Sequence, residues 1–345
     1  MPLSDVKVKI DILKPTTLVG LGIPLILVKN TSATESVYRE YGSLESLKQN
    51  YGESTATYKK AAAIFAQGDN APNKVAVASF GHEFETGDTE ENPKQVFSVR
   101  NALEEYFDKD FHFVLLAAVN AEDRLEASKF FEEKSYKFVV LKVASYEELE
   151  QYTGKDRTIV FHHPLVDEEP DAALIGAIAN KPVGSVTWKF KSLIGVTPQD
   201  YKVDTLENIH KAGAIAFVTK AGRNQTSEGI TASGEFIDVL HGKDWVKLNI
   251  ETSIQTALST TDKIPYTNEG FALLESQIIN VLETAFTNGI IAPDEDGQPV
   301  YSVQSKGRSE MTDENRKNRV YDGLSFRFEL AGAVHTAEIT GEIII

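Results

Sequence analysis

Four short apolar runs, Val75-Ala-Val-Ala-Ser79, Phe113-Val-Leu-Leu-Ala-Ala-Val119, Phe138-Val-Val-Leu-Lys-Val143 and Thr158-Ile-Val-Phe161, are separated by stretches of helical spacing. The first gap holds a polar loop and then a helix over 94–107, marked by Val96, Val99 and Leu103. The second is a helix over 121–134, and the third a short helix over 146–152. An Ala/Ile-rich helix over 171–180 closes the series. Strands that are apolar throughout, alternating with amphipathic helices, imply a parallel sheet covered on both faces. Residues 29–165 therefore read as an open, mainly parallel α/β domain.

On the N-terminal side, Leu44, Leu47 and Tyr51, then Tyr58, Ala61, Ala62 and Phe65, give helical spacing over 43–67. Gly68, Asp69, Asn70 and Pro72 stop it. Earlier still, Val6, Val8, Ile10 and Ile12 alternate with Asp5, Lys7, Lys9 and Asp11, the period of a strand with one buried face. Pro15 ends that strand, and 16–28 suits a buried turn leading into another short strand.

On the C-terminal side the character changes. Val186, Trp188 and Phe190 alternate with polar residues and predict a strand. Ala214–Thr219 and Phe236–Leu240 flank a Gly-rich connection over 222–234. A helix is expected from near Asp244, a plausible N-cap, carrying Trp245, Leu248, Ile254 and Leu258. A second, from near Asn268, carries Phe271, Leu274, Ile278, Val281 and Leu282. Residues 293–297 read as a turn, and Leu324, Phe326, Phe328 and Leu330 mark a strand. Ala337, Ile339, Gly341, Ile343 and Ile345 alternate with Thr336, Glu338, Thr340 and Glu342 in a last strand. Strands and helices in separate runs suggest an α+β domain.

The chain has 345 residues, with 35 Lys+Arg against 51 Asp+Glu, a formal charge of −16. At 41% hydrophobic and 25% charged residues it is not mainly disordered, and its length suggests two domains. The negative balance argues against nucleic acid as a partner. The absence of cysteine excludes disulfides, thiolate metal sites and cysteine nucleophiles. No apolar run approaches the roughly 18 residues of a membrane span, since 18–28 is broken by Gly20, Gly22 and Pro24. Residues 1–13 lack the basic start and apolar block of a signal peptide, so folding in the cytoplasm and no direct membrane insertion are expected.

Ligands of open parallel sheets bind at the carboxyl ends of the strands. There, Phe80–Asp88 has neither a dinucleotide glycine pattern nor a Gly-Lys-Ser/Thr cradle, and its acidity would repel phosphate. No G-x-S-x-G elbow occurs. His162-His163 precedes Asp167, Glu168 and Glu169, but neighbours on extended chain point apart, so a strand end turning into solvent at Pro164 is expected. His82, His112, His210, His241 and His335 show no metal spacing, and 294–297 lacks a calcium loop's closing glutamate. Asn315-Arg-Lys-Asn-Arg319 reads as a solvated loop or as a contact for an acidic partner. No catalytic, cofactor-binding or metal residue is expected. Each terminal strand reads either as an edge of the protein's own sheet or as a strand that completes a neighbour's.

Several stretches carry a family resemblance. They are Tyr38-Arg-Glu-Tyr41, Tyr58-Lys-Lys-Ala-Ala-Ala-Ile-Phe65, Pro72-Asn-Lys-Val75, Asp171-Ala-Ala-Leu-Ile-Gly176 and Val186-Thr-Trp-Lys-Phe190 with Gly195-Val196. Later ones are Gly213-Ala-Ile-Ala216, Gly229-Ile-Thr231, Glu235-Phe-Ile-Asp-Val239, Asp313-Glu-Asn-Arg316 with Arg319, and Leu330-Ala-Gly-Ala-Val-His335. In order and coverage they resemble contractile phage tail sheath proteins, of the shorter kind found in Gram-positive phages, prophages and phage-tail-like bacteriocins.

The resemblance implies a structural subunit that polymerises as stacked hexameric rings around a tail tube. It implies contraction that drives the tube through a host envelope without a cofactor. Partners would include the tube, baseplate and tail terminator proteins, and the protein would be made in the bacterial cytoplasm and reside in the virion. It also implies an α/β domain inserted in an α+β core: an arm and core start over 1–28, the α/β domain over 29–165, core over 166–330 and an arm over 331–345. Val6, Lys7, Val8, Lys9, Ile10 and Ile12, with Glu338, Ile339, Glu342, Ile343 and Ile345, would be the inter-subunit strands. The competing reading is an α/β enzyme using 80–88 and His162 on a small substrate.

Overall fold

In the computed structural model, residues 22–33, 35–84 and 95–337 are described. Along the chain come β1 (Pro24–Lys29), β2 (Arg39–Tyr41), helices α1 (Leu44–Lys48) and α2 (Ala56–Phe65), and β3 (Val75–Phe80). A small ladder of β4 (Glu83–Phe84) and β5 (Gln95–Val96) precedes α3 (Val99–Tyr106). Then follow β6 (Phe113–Ala117), α4 (Ala121–Lys134), β7 (Phe138–Val143), α5 (Tyr146–Leu149) and β8 (Thr158–His162). Helices α6 (Pro170–Ile178) and α7 (Val203–Lys211) lead to β9 (Ala214–Ile215).

These strands form a seven-stranded sheet in the order β2-β3-β1-β6-β7-β8-β9. All neighbours are parallel except the edge strand β2, which runs antiparallel to β3. Alternate strand residues go to opposite faces, and both faces are covered. Ile26, Val77, Leu115, Val140 and Ile159 pack with α2, α6 and Trp188. Leu25, Ala76, Val114, Val139 and Val160 pack with residues of α3, α4 and α7. That two-sided burial is why these strands carry no polar alternation. Helices α2 and α6 approach so closely that a Cβ on Gly176 would lie 2.4 Å from the Ile64 carbonyl oxygen.

Two expectations are corrected here. The stretch Val186–Phe190 is irregular, not a strand. Trp188 drives into the core, against Phe113, with Val186 packed partly on the same core, while Phe190 adopts a left-handed φ of 66° that breaks extension. The backbone partners of this stretch are found at Thr226: Phe190 N donates to Thr226 O, and Thr226 Oγ1 donates to Trp188 O. Second, Asp244 does not start a helix, and Phe236–Leu240 already runs into one. After the hairpin β10 (Phe217–Lys220) and β11 (Arg223–Thr226), helix α8 runs over Ile237–Thr260. Ile237, Leu240, Asp244 and Leu248 share its buried side, so the helical spacing begins seven residues before the apparent cap.

Helix α9 (Asn268–Thr287) starts as expected, capped by Thr267. It packs antiparallel-ladder strands β12 (Tyr301–Ser305) and β13 (Leu324–Phe328), with helix α10 (Asp313–Asn318) between them. Ile250, Ile254, Ile278, Leu282, Ala285 and Ile290 form a core of their own here, joined by Tyr301, Val303, Leu324 and Phe328 from the ladder.

Candidate assembly surface

The carboxyl edge of the parallel sheet was the natural place for chemistry. A small cavity of about 180 Å³ lies there, lined by Lys60, Leu116, Arg124, Val140, Lys142, Glu169 and Asp171 among others. Its cations are already engaged. Buried Lys60 donates to Asp171 at 2.6 Å and to Glu169 at 2.8 Å. Lys142 donates to the carbonyls of Val166 and Glu168, and Arg124 to Glu148. An incoming anion would have to displace these partners.

The histidine pair is corrected in its surroundings. Both residues are buried and do not turn into solvent. They do point apart: His162 Nδ1 lies 2.9 Å from the Tyr201 hydroxyl, and His163 Nε2 2.8 Å from Glu168. Burial holds the His162 imidazole below its ordinary pKa. Glu168 also accepts from the Thr197 N–H, so it ties two loops together. Of the loop 80–88, His82 is buried and stacks on Phe97, and 85–88 lie outside the described residues. Among the described residues no group of three His, Asp or Glu is placed to hold a metal ion. Asp294 accepts instead from the N–H groups of its own turn, at Asp296 and Gln298.

The strongest polar cluster lies elsewhere, where α8 meets the sheet. Arg157, at the start of β8, donates in bidentate fashion to Asp244, at 2.7 and 3.0 Å, with both side chains under 5% exposed. His112 Nε2 stands 3.2 Å from the same carboxylate, close enough for attraction but short of hydrogen-bond geometry. Burial lowers the His112 pKa, and the ring stacks on His241. Burial acts to raise Asp244, but His112 and Arg157 together hold its carboxyl below the ordinary range. Pairing of Arg157 with a residue 87 positions away has no local signature, which is why Asp244 looked like a cap.

The ladder β12–β13 presents a different picture. Tyr301 faces Phe328, Val303 faces Phe326 and Ser305 faces Leu324; of these Tyr301, Val303, Leu324 and Phe328 pack on the core formed with α9, and Ser302–Arg327 and Gln304–Ser325 form the polar side. Among the described residues each strand pairs only with the other, so each has one unpaired edge. Phe326 is 36% exposed and Leu330 43%. The cluster 315–319 is the end of a short helix, not a loop: Arg316 braces it through Arg308 O and Met311 O, while Lys317 and Arg319 are exposed.

Both ends of the described chain meet one loop. At the first, a Cβ on Gly22 would strike Ala179 O. At the last, Leu330, Gly332 and Ala333 line a cavity with Gly184, Ser185, Val186 and Thr187. The strand residues Val6, Lys7, Val8, Lys9, Ile10, Ile12, Glu338, Ile339, Glu342, Ile343 and Ile345 lie outside the described residues.

Residues 237–343 match the family described as E217 tail sheath protein gp31-like, C-terminal domain. The match begins at the first residue of α8. No curated protein matches in sequence. The fold is that of solved sheath structures. An anti-feeding prophage baseplate, six-fold symmetrised, gives a TM-score of 0.69 at 14% identity, covering 99% of this chain and 98% of the other. The PVC sheath complex of an extracellular contractile injection system, in its contracted state, gives 0.67 at 13% identity, covering 98% of each. The sheath tail protein of Desulfitobacterium hafniense gives 0.57 at 13%, covering 87% and 93%. The resemblance to contractile tail sheath proteins read from the sequence stands.

Proposed function

We propose that this chain is the structural subunit of a contractile sheath, repeated in a helical assembly around a tail tube. The observation that carries this reading is the match of 237–343 to a tail sheath domain, set within a chain whose whole length has the sheath fold. In this reading the subunits form stacked hexameric rings, the particle is a phage tail or a phage-tail-like device, and baseplate and terminator proteins bound it. The subunits are made and assembled in the bacterial cytoplasm. Contraction draws on better contacts between subunits, a release from a kinetically trapped state, and needs no hydrolysis.

The fold suggests how the subunits join. A two-stranded ladder is marginal alone, and an unpaired edge is a template for a further strand. Among the described residues the ladder β12–β13 offers two such edges, and the alternating residues 6–12 and 337–345 have the pattern of strands that would fill them. An arm and the start of the core over 1–28 and an arm over 331–345 would flank an α/β domain over 29–165 and a core over 166–330. Lys7 and Lys9 on one arm and Glu338 and Glu342 on the other would select partner and register, at about 0.2–1 kcal/mol per cross-strand pair. The exposed Lys317 and Arg319 add a surface suited to an acidic partner.

The test is charge reversal with rescue. Lys7→Glu with Lys9→Glu is expected to slow assembly measured by light scattering, and adding Glu338→Lys with Glu342→Lys to restore it. No rescue, with all variants folded, would mean that the arms do not lie side by side.

A further inference from the structure

After β13 the chain leaves the ladder and crosses towards the sheet. Leu330 bridges Ile291, and Ala331 N donates to Ile290 O at 2.9 Å. From Glu329 to Ala337 every residue is exposed except His335. Small residues, Ala331-Gly-Ala333, and Val334 at 81% exposure give the segment little to hold on with. His335 Nε2 lies 2.7 Å from Thr187 Oγ1. Its ring stands edge-on to Phe236, at 4.9 Å and 90°, and to Phe190, at 6.0 Å and 82°. Phe190 and Phe236, each 43% exposed, are large rings kept at the surface, and this contact gives them a purpose.

The three partners belong to the sheet side of the molecule. Thr187 and Phe190 flank Trp188, which is 1% exposed and packs on Phe113 of β6. Phe236 is the N-cap residue of α8. The strap over 329–337 therefore starts on the ladder and is fastened at one point on a rigid wall.

We propose that His335 is an anchor that pins the strap to Thr187 between the rings of Phe190 and Phe236. The described chain is then held beside Trp188 at its last turn, so a pull applied at Ala337 enters the molecule under the sheet and not at the end of β13. The anchor itself is a property of the single chain; its consequence for assembly rests on the sheath reading.

The chain has no cysteine, so Ala337→Cys provides one site for a nitroxide label. In dilute monomer the spectrum is expected to show an immobilised component. That component should vanish in His335→Ala and in Thr187→Val, and return with His335→Gln, whose amide reaches the same hydroxyl. The thermal transition of the body should not move. A label equally mobile with and without His335, or a Thr187→Val spectrum identical to the parent, would overturn the anchor. The same variants are then assembled. Loss of the immobilised component with unchanged tube formation would overturn the role in assembly. Absence of tubes from the unsubstituted chain would instead count against the sheath reading and leave the label result standing.

Discussion

The seven-stranded sheet covers both its faces and pairs its buried charges internally, as Lys60 does with Asp171 and Glu169. The unit built on α8, α9 and β12–β13 has a core of its own but, among the described residues, leaves two strand edges unpaired and Val320, Phe326 and Leu330 at least 36% exposed. One region has both sheet faces buried within a single chain; the other keeps large apolar side chains at its surface beside the ladder edges. The two should therefore respond differently to substitution. Changes in and under the sheet should cost stability, and changes on the ladder should cost association.

The largest stability effect is expected at the joint between them. Asp244→Ala leaves Arg157 buried without its carboxylate, a loss of about 3–5 kcal/mol by urea unfolding. Arg157→Met combined with Asp244→Leu should recover most of it, since an apolar pair of similar volume avoids burying charge. A loss under about 1 kcal/mol for Asp244→Ala would mean that the joint is wetter than the described geometry. Next is Gly176→Ala, which forces a methyl into the carbonyl of Ile64 and should cost about 1–3 kcal/mol through displaced helices. Equal stability would show that α2 and α6 part easily.

A smaller effect tests the same side of α8 two turns further on. Burial raises the Glu251 carboxyl to about 7, with Lys247 opposing it. A carboxyl raised on folding contributes stability that is present below the unfolded pKa and lost as pH rises through about 7. Glu251→Gln should then gain about 1 kcal/mol at pH 8.5, after allowance for its partial exposure, and nothing at pH 4. Melting curves at the two pH values decide it, and a gain at pH 4 has the wrong sign. The buried His112 works in the other direction: its pKa is lowered, so its contribution is present above the ordinary imidazole value and fades as pH falls. The smallest stability change is expected on the ladder. Phe326→Ser should shift unfolding by about 0.5 kcal/mol, the scale of a surface change, yet weaken assembly. Intact assembly by this variant would remove the polar–apolar distinction drawn for the ladder.

How far the sequence revealed this depended on the period and length of each pattern. Residues 121–134 and 138–143 form the helix and strand their apolar spacing implied, because nothing but burial shapes them. The central strand β1 was only dimly visible, since Gly20 and Gly22 interrupt the apolar run just before it and Pro24 is its first residue. Helix α7 was missed because of its nine residues only Ile209 is fully buried, leaving a weak stripe. Val186–Phe190 alternated for a reason other than strand pairing, namely one tryptophan anchored in the core, with Lys189 beside it also buried and paired with Glu228. The joint was illegible: Arg157 and Asp244 are brought together only by the fold, and an aspartate ahead of an apolar helical run is the commonest sign of a cap. His335 was set aside as packing or surface, and no local motif marked its contact with Thr187.

The central claim, that this chain builds a sheath, is tested most directly by electron microscopy of the purified protein over a wide range of concentration. The account predicts tubes or stacked rings above a threshold concentration, abolished when residues 1–12 and 338–345 are both deleted while the body still unfolds cooperatively. A monodisperse monomer at every concentration, with and without those residues, would contradict it.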